Sequence, residues 1–528
     1  DRALPHPIRQ RAASHRRRRM SERLPPIMLD LPDDAATKRL GEDLALAVQA
    51  GDCLALHGDL GAGKSTLSRA LLRAIADDPE LEVPSPTFTL VQSYELRLPV
   101  AHFDLYRLSD PSELDELGFD EAIATGICLV EWPDKAGGAL PKSRIDIHFA
   151  FTADGGRHLT ISGPEVKLAR IRRVLQIRGF LDENGYGNAA RRHLMGDAST
   201  RAYEFVYPVG EQSRLVLMDA PKRPNGPIIR DGKRYSQIAH IAEDVYPFVA
   251  IDQALRERGF SAPAILASDC EAGILLLEDL GSQGILDEAG RPIADRYRAS
   301  VACLAAIHGT SFERDISLGD SRTHEIPDFD RTAMKMEVEL LIDWHLPWKR
   351  GGLAVSDDAR RSYLGIWDDL IDQLADTETS LVLRDFHSPN IIWRGDKTGH
   401  DRIGIIDFQD AMIGPSAYDL ASIVQDARVT VERPLADQMM ADYLALRRMS
   451  PAFDDALFQK SWAIMAAQRA CKLCGLWVRL KERDGKDGYM KHMPRTLWHL
   501  SVAFEHPALA PLRDWCIEAG IELPESAA

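Results

Sequence analysis

Residues 52–66 read DCLALHGDLGAGKST. The stretch opens as an apolar strand, Asp52–His57, and continues as Gly58, Asp59, Leu60, Gly61, Ala62, Gly63, Lys64 and Ser65, which fits GxxxxGK[ST]. A helix is expected from Lys64 to Ala76. Strand, glycine turn and helix in that order are what a phosphate cradle needs. The glycines let backbone N–H groups converge on phosphate oxygens, and the helix N-terminus adds positive potential. Lys64 can then reach the β- and γ-phosphates, and the Ser65 hydroxyl can ligate Mg²⁺.

The flanks of this loop read as an α/β layer. Residues 33–50 form an amphipathic helix with Leu40, Leu44 and Val48 four apart. VAHFDLY (100–106) and ICLVEW (127–132) are short apolar runs that read as buried strands, and RIDIHFAF and HLTIS form a final strand pair. The alternation of strand and helix predicts a mostly parallel sheet. Asp104 and Glu131 each end an apolar run, so both fall at the carboxyl edge where such sheets bind ligands. Either can hold Mg²⁺ or polarise an attacking water. A first domain boundary is expected at Gly163–Pro164.

The segments GDLGAGKST, VPSPTFTL, HFDLYRL, ELGFDE and LVEWPDK, in that order over about residues 28–163, resemble TsaE, the P-loop ATPase of bacterial threonylcarbamoyladenosine synthesis at position 37 of tRNA. The resemblance implies Ser65 and Glu131 as Mg²⁺ ligands, Asp104 as a Walker B-like catalytic acid, Thr66 as a further nucleotide contact and Thr87 in a switch-like loop. It also implies TsaB- and TsaD-like partners that hold the tRNA.

A second stretch, LVLRDFHSPNIIW (381–393), places Asn390 five residues after Asp385, and Ile403–Ile406 leads into Asp407-Phe408-Gln409. This is the spacing of a kinase catalytic loop followed by its metal-binding aspartate. Asp385 accepts a hydrogen bond from the attacking hydroxyl, while Asn390 and Asp407 hold Mg²⁺ against the β/γ-phosphates, so catalysis rests on positioning and charge neutralisation. His387 is expected to be structural. The segments GDASTRAYEFV, LVLMDAP, LLLEDLG, RDFHSPNII, IDFQDAMIGPSAYDLASIVQDAR and QRACKLCGLWVRLKERDGKDGYMKHMPR resemble the aminoglycoside phosphotransferase-like superfamily, and within it the AmgK-type anomeric kinases of N-acetylmuramate and N-acetylglucosamine. That implies a two-lobed protein-kinase-like fold, ATP as donor, an amino-sugar acceptor, and Ser199 and Arg201 as nucleotide contacts. Where kinases carry a lysine on the third strand this chain has Met218, so either Lys222, Arg201 or another cation replaces it, with Glu243 as a candidate partner, or phosphate anchoring is weak. An aminoglycoside- or choline-type acceptor and a regulatory pseudokinase are the alternatives. The mixed-charge segment KERDGKDGYMKHMPR (481–495) suits the carboxylate of N-acetylmuramate better than a polycation.

The chain as a whole has 528 residues, 45% apolar and 27% charged, in the range of water-soluble globular proteins. No run approaches the roughly 20 apolar residues of a membrane span. Residues 1–23 hold eight Arg against Asp1 and Glu22, a charge of +6, which leaves −22 on the rest of a chain of net −16. A body that acidic binds nucleic acid poorly by itself. The basic segment 1–27 reads as a disordered leader. Seven cysteines, odd in number and sparse, predict a reducing cytoplasm rather than a disulfide framework, and Cys471 and Cys474 read as helix core. The expected organisation is a leader (1–27), a P-loop ATPase domain (28–163) and a kinase-like domain (164–528), with its N-lobe to about 281 and its C-lobe from 282.

Overall fold

A computed structural model of the chain describes residues 25–194, 201–223, 226–319 and 321–524. The chain divides into two compact units, Asp1–Ala198 with Tyr203–Leu215, and Ser199–Ala202 with Val216–Ala528. No helix among the described residues is long and apolar enough to cross a membrane.

The first unit runs β1 (Ile27–Leu31), α1 (Asp34–Ala47), β2 (Cys53–His57), α2 (Lys64–Ala76), β3 (Val91–Tyr94), β4 (Val100–Asp104), α3 (Glu113–Glu116), α4 (Phe119–Thr125), β5 (Ile127–Glu131), β6 (Ile145–Phe151), β7 (Arg157–Ser162), α5 (Glu165–Glu183), β8 (Ala190–Leu194) and β9 (Ala202–Tyr207). The sheet order is β1-β7-β6-β2-β5-β4-β3. The central pairs β6–β2, β2–β5 and β5–β4 are parallel, but β1–β7, β7–β6 and β4–β3 are antiparallel. The sheet is therefore mixed rather than mostly parallel, because hairpin partners close both edges of a three-pair parallel centre. β2 is buried on both faces, as a parallel strand under helices should be. Leu54 and Leu56 pack with Leu44 and Leu71, while Cys53 and Ala55 pack with Phe103 and Val130. Helices α1 and α2 approach so closely that a Cβ at Gly41 would lie 2.7 Å from Ala70 Cβ and 2.8 Å from Leu67 O.

Two expected boundaries move. The basic leader is expected to run to residue 27, but Ile27 already begins β1; residues 1–24 lie outside the described part. The first unit continues past the boundary expected at Gly163–Pro164, because α5, which starts directly after it, packs back on that unit. Leu168, Ile171 and Val174 of that helix join the apolar cluster around Leu40, Leu44 and Leu71. Asp43, 2% exposed, accepts hydrogen bonds from Arg178 Nε (2.9 Å) and Nη2 (2.8 Å) and from Arg191 Nη1 (2.8 Å), and Arg191 also grips Glu204 at 2.8 and 3.0 Å. Apolar packing and buried charge thus bind α5, β8 and β9 into the first unit.

The second unit contains β10 (Leu215–Asp219), the β11–β12 hairpin (Ile228–Arg230, Lys233–Arg234), α6 (Tyr235–Ile238), α7 (Tyr246–Glu257), β13 (Ile265–Asp269) and β14 (Ile274–Glu278), with β14 lying between β13 and β10. A helical part follows: α8 (Ala294–His308), the β15–β16 hairpin (Asp315–Ser317, Thr323–Glu325), α9 (Arg331–Leu340), α10 (Leu346–Lys349), α11 (Asp357–Asp372), α12 (Ala417–Val424), α13 (Arg433–Arg447) and α14 (Asp455–Asp484). Two short ladders sit within it, β17 (Thr379–Val382) with β20 (Met412–Pro415) and β18 (Ile391–Trp393) with β19 (Ile403–Ile405). Tyr363 and Trp367 of α11 are fully buried, as their spacing predicts. Cys471 and Cys474 are free and buried in α14. Gly475 lets α14 touch the end of α9, where a Cβ would sit 2.0 Å from Leu340 O.

Candidate functional sites

The glycine loop has the backbone geometry of a phosphate cradle. Gly58, Gly61 and Gly63 have φ of +140°, +80° and +111°, in the range that disfavours L side chains. Gly63 caps α2 with no side-chain acceptor, so the first-turn N–H groups keep their capacity for an anion. Lys64, 5% exposed, donates from Nζ to Gly58 O (2.7 Å) and Asp59 O (2.9 Å) and lies 4.0 Å from the centre of the Trp132 ring. Burial lowers its pKa against the opposing pull of Glu131, Asp104 and Asp59. Leu60 is exposed and Ala62 buried.

The parallel register pairs Asp104 with Glu131, which brings the two expected acids side by side. Both are buried, at 3% and 2% exposure. Glu131 accepts from Ser65 Oγ at 2.9 Å and Ser68 Oγ at 3.4 Å, and its Oε1 lies 3.0 Å from His102 Nε2. Asp104 Oδ2 accepts from Ser85 Oγ (2.9 Å) and Thr87 Oγ1 (2.8 Å), which ties the 83–90 segment to the sheet edge. Thr66 stands in the first turn of α2. It lines a cavity of about 180 Å³ with Lys38, Glu42, Arg69 and Arg73. Sequence reasoning gave no role to Trp132, His102 or Arg157, whose Nε donates to Ala62 O at 3.0 Å; the first two stand inside the motifs LVEWPDK and HFDLYRL. His57, Asp146 and His148 also cluster within 4.8 Å, but the two imidazoles stack face to face at 4.1 Å and Arg144 Nε holds Asp146 at 2.8 Å.

In the second unit Asp385, Asn390 and Asp407 converge. Asn390 Nδ2 donates to Asp385 O (2.9 Å) and to Asp407 Oδ2 (3.4 Å). Asp407 Oδ1 receives Gln409 Nε2 at 2.9 Å and Arg201 Nη1 at 3.4 Å. Arg384 and Asp407 both have positive φ, +73° and +61°, so strain sits on either side of the reacting space. Asp419 pins the loop by accepting from the N–H groups of Leu383 (2.6 Å) and Arg384 (2.8 Å). Burial alone would raise the pKa of Asp385; Lys472, His387, Arg384 and Arg469 outweigh it and hold the carboxylate ionised. Asp407 is shifted up, first by burial and then by Asp385. Two close carboxylates with this asymmetry and an amide beside them are hard oxygen donors that suit a divalent cation.

Met218 is buried at 2% exposure on β10. Of the cations offered in its place, Arg201 does face Asp407, whereas Lys222 acts on Glu271. The cation the sequence reading missed is Arg223, the next residue, whose surroundings include Arg201, Asp410, Asp407 and Glu243. Ser199 lies outside the described residues. The 481–495 segment does not line the cavity beside Asp385; α14 does so one to three turns earlier, through Arg469, Lys472 and Arg479.

Comparison with known proteins assigns each of the two segments to a family. Residues 31–159 match the family described as threonylcarbamoyl adenosine biosynthesis protein TsaE, and residues 191–452 match the phosphotransferase enzyme family. Over 131 residues the chain is 39% identical to the tRNA threonylcarbamoyladenosine biosynthesis protein TsaE of Haemophilus influenzae, 24% of this chain and 82% of that protein. Over 346 residues it is 33% identical to the N-acetylmuramate/N-acetylglucosamine kinase of Caulobacter vibrioides, 64% of this chain and 93% of that protein. The chain belongs to both families. It is a fusion of a TsaE domain with a phosphotransferase of the N-acetylmuramate/N-acetylglucosamine kinase type, and both families use ATP. The Pseudomonas aeruginosa kinase of the same name is 29% identical over 338 residues, 62% of this chain and 89% of that protein. The residues joining the two matched segments, 160–190, include α5, which packs in the first unit with the TsaE domain.

Proposed function

We propose that the TsaE domain hydrolyses ATP in support of N6-threonylcarbamoyladenosine formation at position 37 of tRNA, together with TsaB- and TsaD-like partners in the cytoplasm, and that the phosphotransferase domain phosphorylates the anomeric hydroxyl of N-acetylmuramate and N-acetylglucosamine in cell-wall recycling. The observation that supports this reading most is the presence of two complete sets of phosphate-handling groups, one in each unit.

In the TsaE domain Lys64 exchanges the carbonyls of Gly58 and Asp59 for phosphate oxygens, and Trp132 keeps its ammonium beside the loop. Ser65 and Glu131, already 2.9 Å apart, are oxygen donors that fit Mg²⁺. Asp104 orients water, steadied by Ser85 and Thr87. In the phosphotransferase domain Asn390 and Asp407 fit the second Mg²⁺ position. An ion held there would neutralise charge on the β- and γ-phosphates. Asp385 accepts the proton of the acceptor hydroxyl as the new O–P bond forms and the bond from the γ-phosphorus to the ADP oxygen breaks. Arg201 and Arg223 supply the positive charge that Met218 cannot. A polycationic acceptor is disfavoured, because Arg469, Lys472 and Arg479 line the cavity.

The test is a pair of substitutions in the full chain. Asp385→Ala should abolish sugar phosphorylation and spare ATPase activity reconstituted with TsaB- and TsaD-like partners; Lys64→Ala should do the reverse. One substitution silencing both activities would contradict two independent sites.

A further inference from the structure

The cavity beside Asp385 measures about 180 Å³. Its wall on α14 carries Arg469, Lys472, Leu476 and Arg479, spaced three, four and three residues, so they form one stripe on a single helical face. Tyr235 and Asp385 also line it.

The stripe faces Asp385 and Asp410 across the cavity, and Asp484 acts on Arg479, yet several guanidinium N–H groups stay without a hydrogen-bond partner among the described residues. Lys472 Nζ lies 2.7 Å from Glu337 Oε1, and Arg384 donates to the same oxygen, so these two cations share one fully buried carboxylate. Arg469 is 5% exposed. Its Nη2 donates to Ser422 Oγ at 2.8 Å, but Nε and Nη1 are buried without a partner among the described residues. Arg479 lies with its guanidinium carbon 5.0 Å from the Tyr235 ring centre, and its buried Nε likewise has no partner among the described residues. An aromatic face attracts the cation but accepts no in-plane N–H bond. A planar guanidinium held over a ring with its Nε unpartnered can turn a fork of donors toward a carboxylate and take it in two parallel hydrogen bonds.

Position along the helix separates the roles. Arg469 and Lys472 are the α14 cations that act on Asp385, and Arg479 is absent from that set. At 1.5 Å per residue Arg479 stands about 10 Å further along the axis than Lys472, two turns away. The cavity therefore has a reacting end at Asp385 and a distal end at Arg479. The phosphates belong at the first end, with Asn390, Asp407, Arg201 and Arg223.

We propose that Arg479, seated on Tyr235, is a specificity-determining contact for an anionic substituent of the acceptor, so that the site is fitted to a hexosamine bearing a carboxylate distal to its reacting hydroxyl. This rests on the amino-sugar kinase reading above. Loss of a two-point charged hydrogen bond of this kind changes affinity about ten- to a hundredfold.

The test uses the full chain with Mg²⁺ and ATP, and N-acetylmuramate and N-acetylglucosamine as separate acceptors. These two sugars differ by the carboxylate-bearing ether. KM and kcat are measured for wild type, Arg479→Gln and Arg479→Lys. The expected result is a KM for N-acetylmuramate raised at least tenfold in Arg479→Gln, a matching fall in the N-acetylmuramate to N-acetylglucosamine ratio of kcat/KM, and partial recovery in Arg479→Lys. Turnover of N-acetylglucosamine reports that each variant is folded. An unchanged ratio, or a KM for ATP raised equally with both sugars, overturns the role of Arg479 while leaving the kinase reading intact. A wild-type chain that phosphorylates neither sugar overturns that reading and this inference with it.

Discussion

Asp43→Asn removes one charge and almost no volume from the junction between α1, α5 and β8. Asp43 is the shared acceptor of three hydrogen bonds of 2.8–2.9 Å from Arg178 and Arg191. Arg191 keeps Glu204 after the change. Arg178 otherwise donates to the carbonyls of Gly187 and Ala189, each at 2.8 Å, which carry no net charge. One buried arginine is thus left without its counter-charge, a loss of about 3–5 kcal/mol for a broken buried pair. The asparagine oxygen still accepts one bond, so about 3 kcal/mol is the expected cost. For a unit of this size that lowers the midpoint of thermal unfolding by about 10 °C. Differential scanning calorimetry of the full chain reads it directly, and a midpoint lowered by less than about 2 °C would show that α5 is held by Leu168, Ile171 and Val174 alone, with the ion network solvated in effect.

Two further outcomes follow from particular contacts. Trp132→Ala removes the ring 4.0 Å from Lys64 Nζ, a contact of about 0.5–2 kcal/mol, and should weaken nucleotide binding at the P-loop about two- to thirtyfold in a titration with a non-hydrolysable ATP analogue; unchanged affinity would dismiss the ring as a positioning group. Burial would raise the pKa of Glu337, but Lys472 and Arg384 outweigh it and hold the carboxyl well below its ordinary 4.5, so its stabilisation is present above that pH and is lost as pH falls through the lowered folded-state value. Glu337→Gln should be less stable at neutral pH and lose less on acidification in urea unfolding followed from pH 7 downward; parallel pH profiles would contradict this.

The local chemistry of both sites is legible in the residues because it is sequential. The loop Gly58–Ser65 and the spacing from Asp385 to Asn390 and Asp407 are properties of short segments, and the parallel register that pairs Asp104 with Glu131 follows from strands that each end on an acid. What the residues do not reveal is whatever depends on a distant element. Arg223 and Lys222 are adjacent and chemically alike, and only the path of the chain after β10 decides which faces Asp407. Trp132 and Lys64 meet across 68 positions. The helix α5 carries a mild amphipathic pattern that fits either neighbour, and the decision lies with Asp43, 135 residues from Arg178. The charge pattern points to the 481–495 segment for the cationic wall of the acceptor cavity. That wall comes instead from earlier turns of α14, the helix in which that segment begins, where the sequence looks like a buried core stretch because Cys471, Cys474 and Trp477 on its other face are just that.

The central claim is that one chain carries two nucleotide sites that share no residue. Equilibrium dialysis of the full chain against a non-hydrolysable ATP analogue with Mg²⁺ tests it most directly. The stoichiometry should approach two per chain for wild type, one for Lys64→Ala and for Asp407→Asn, and none when both are combined; a wild-type stoichiometry that saturates at one would contradict the account.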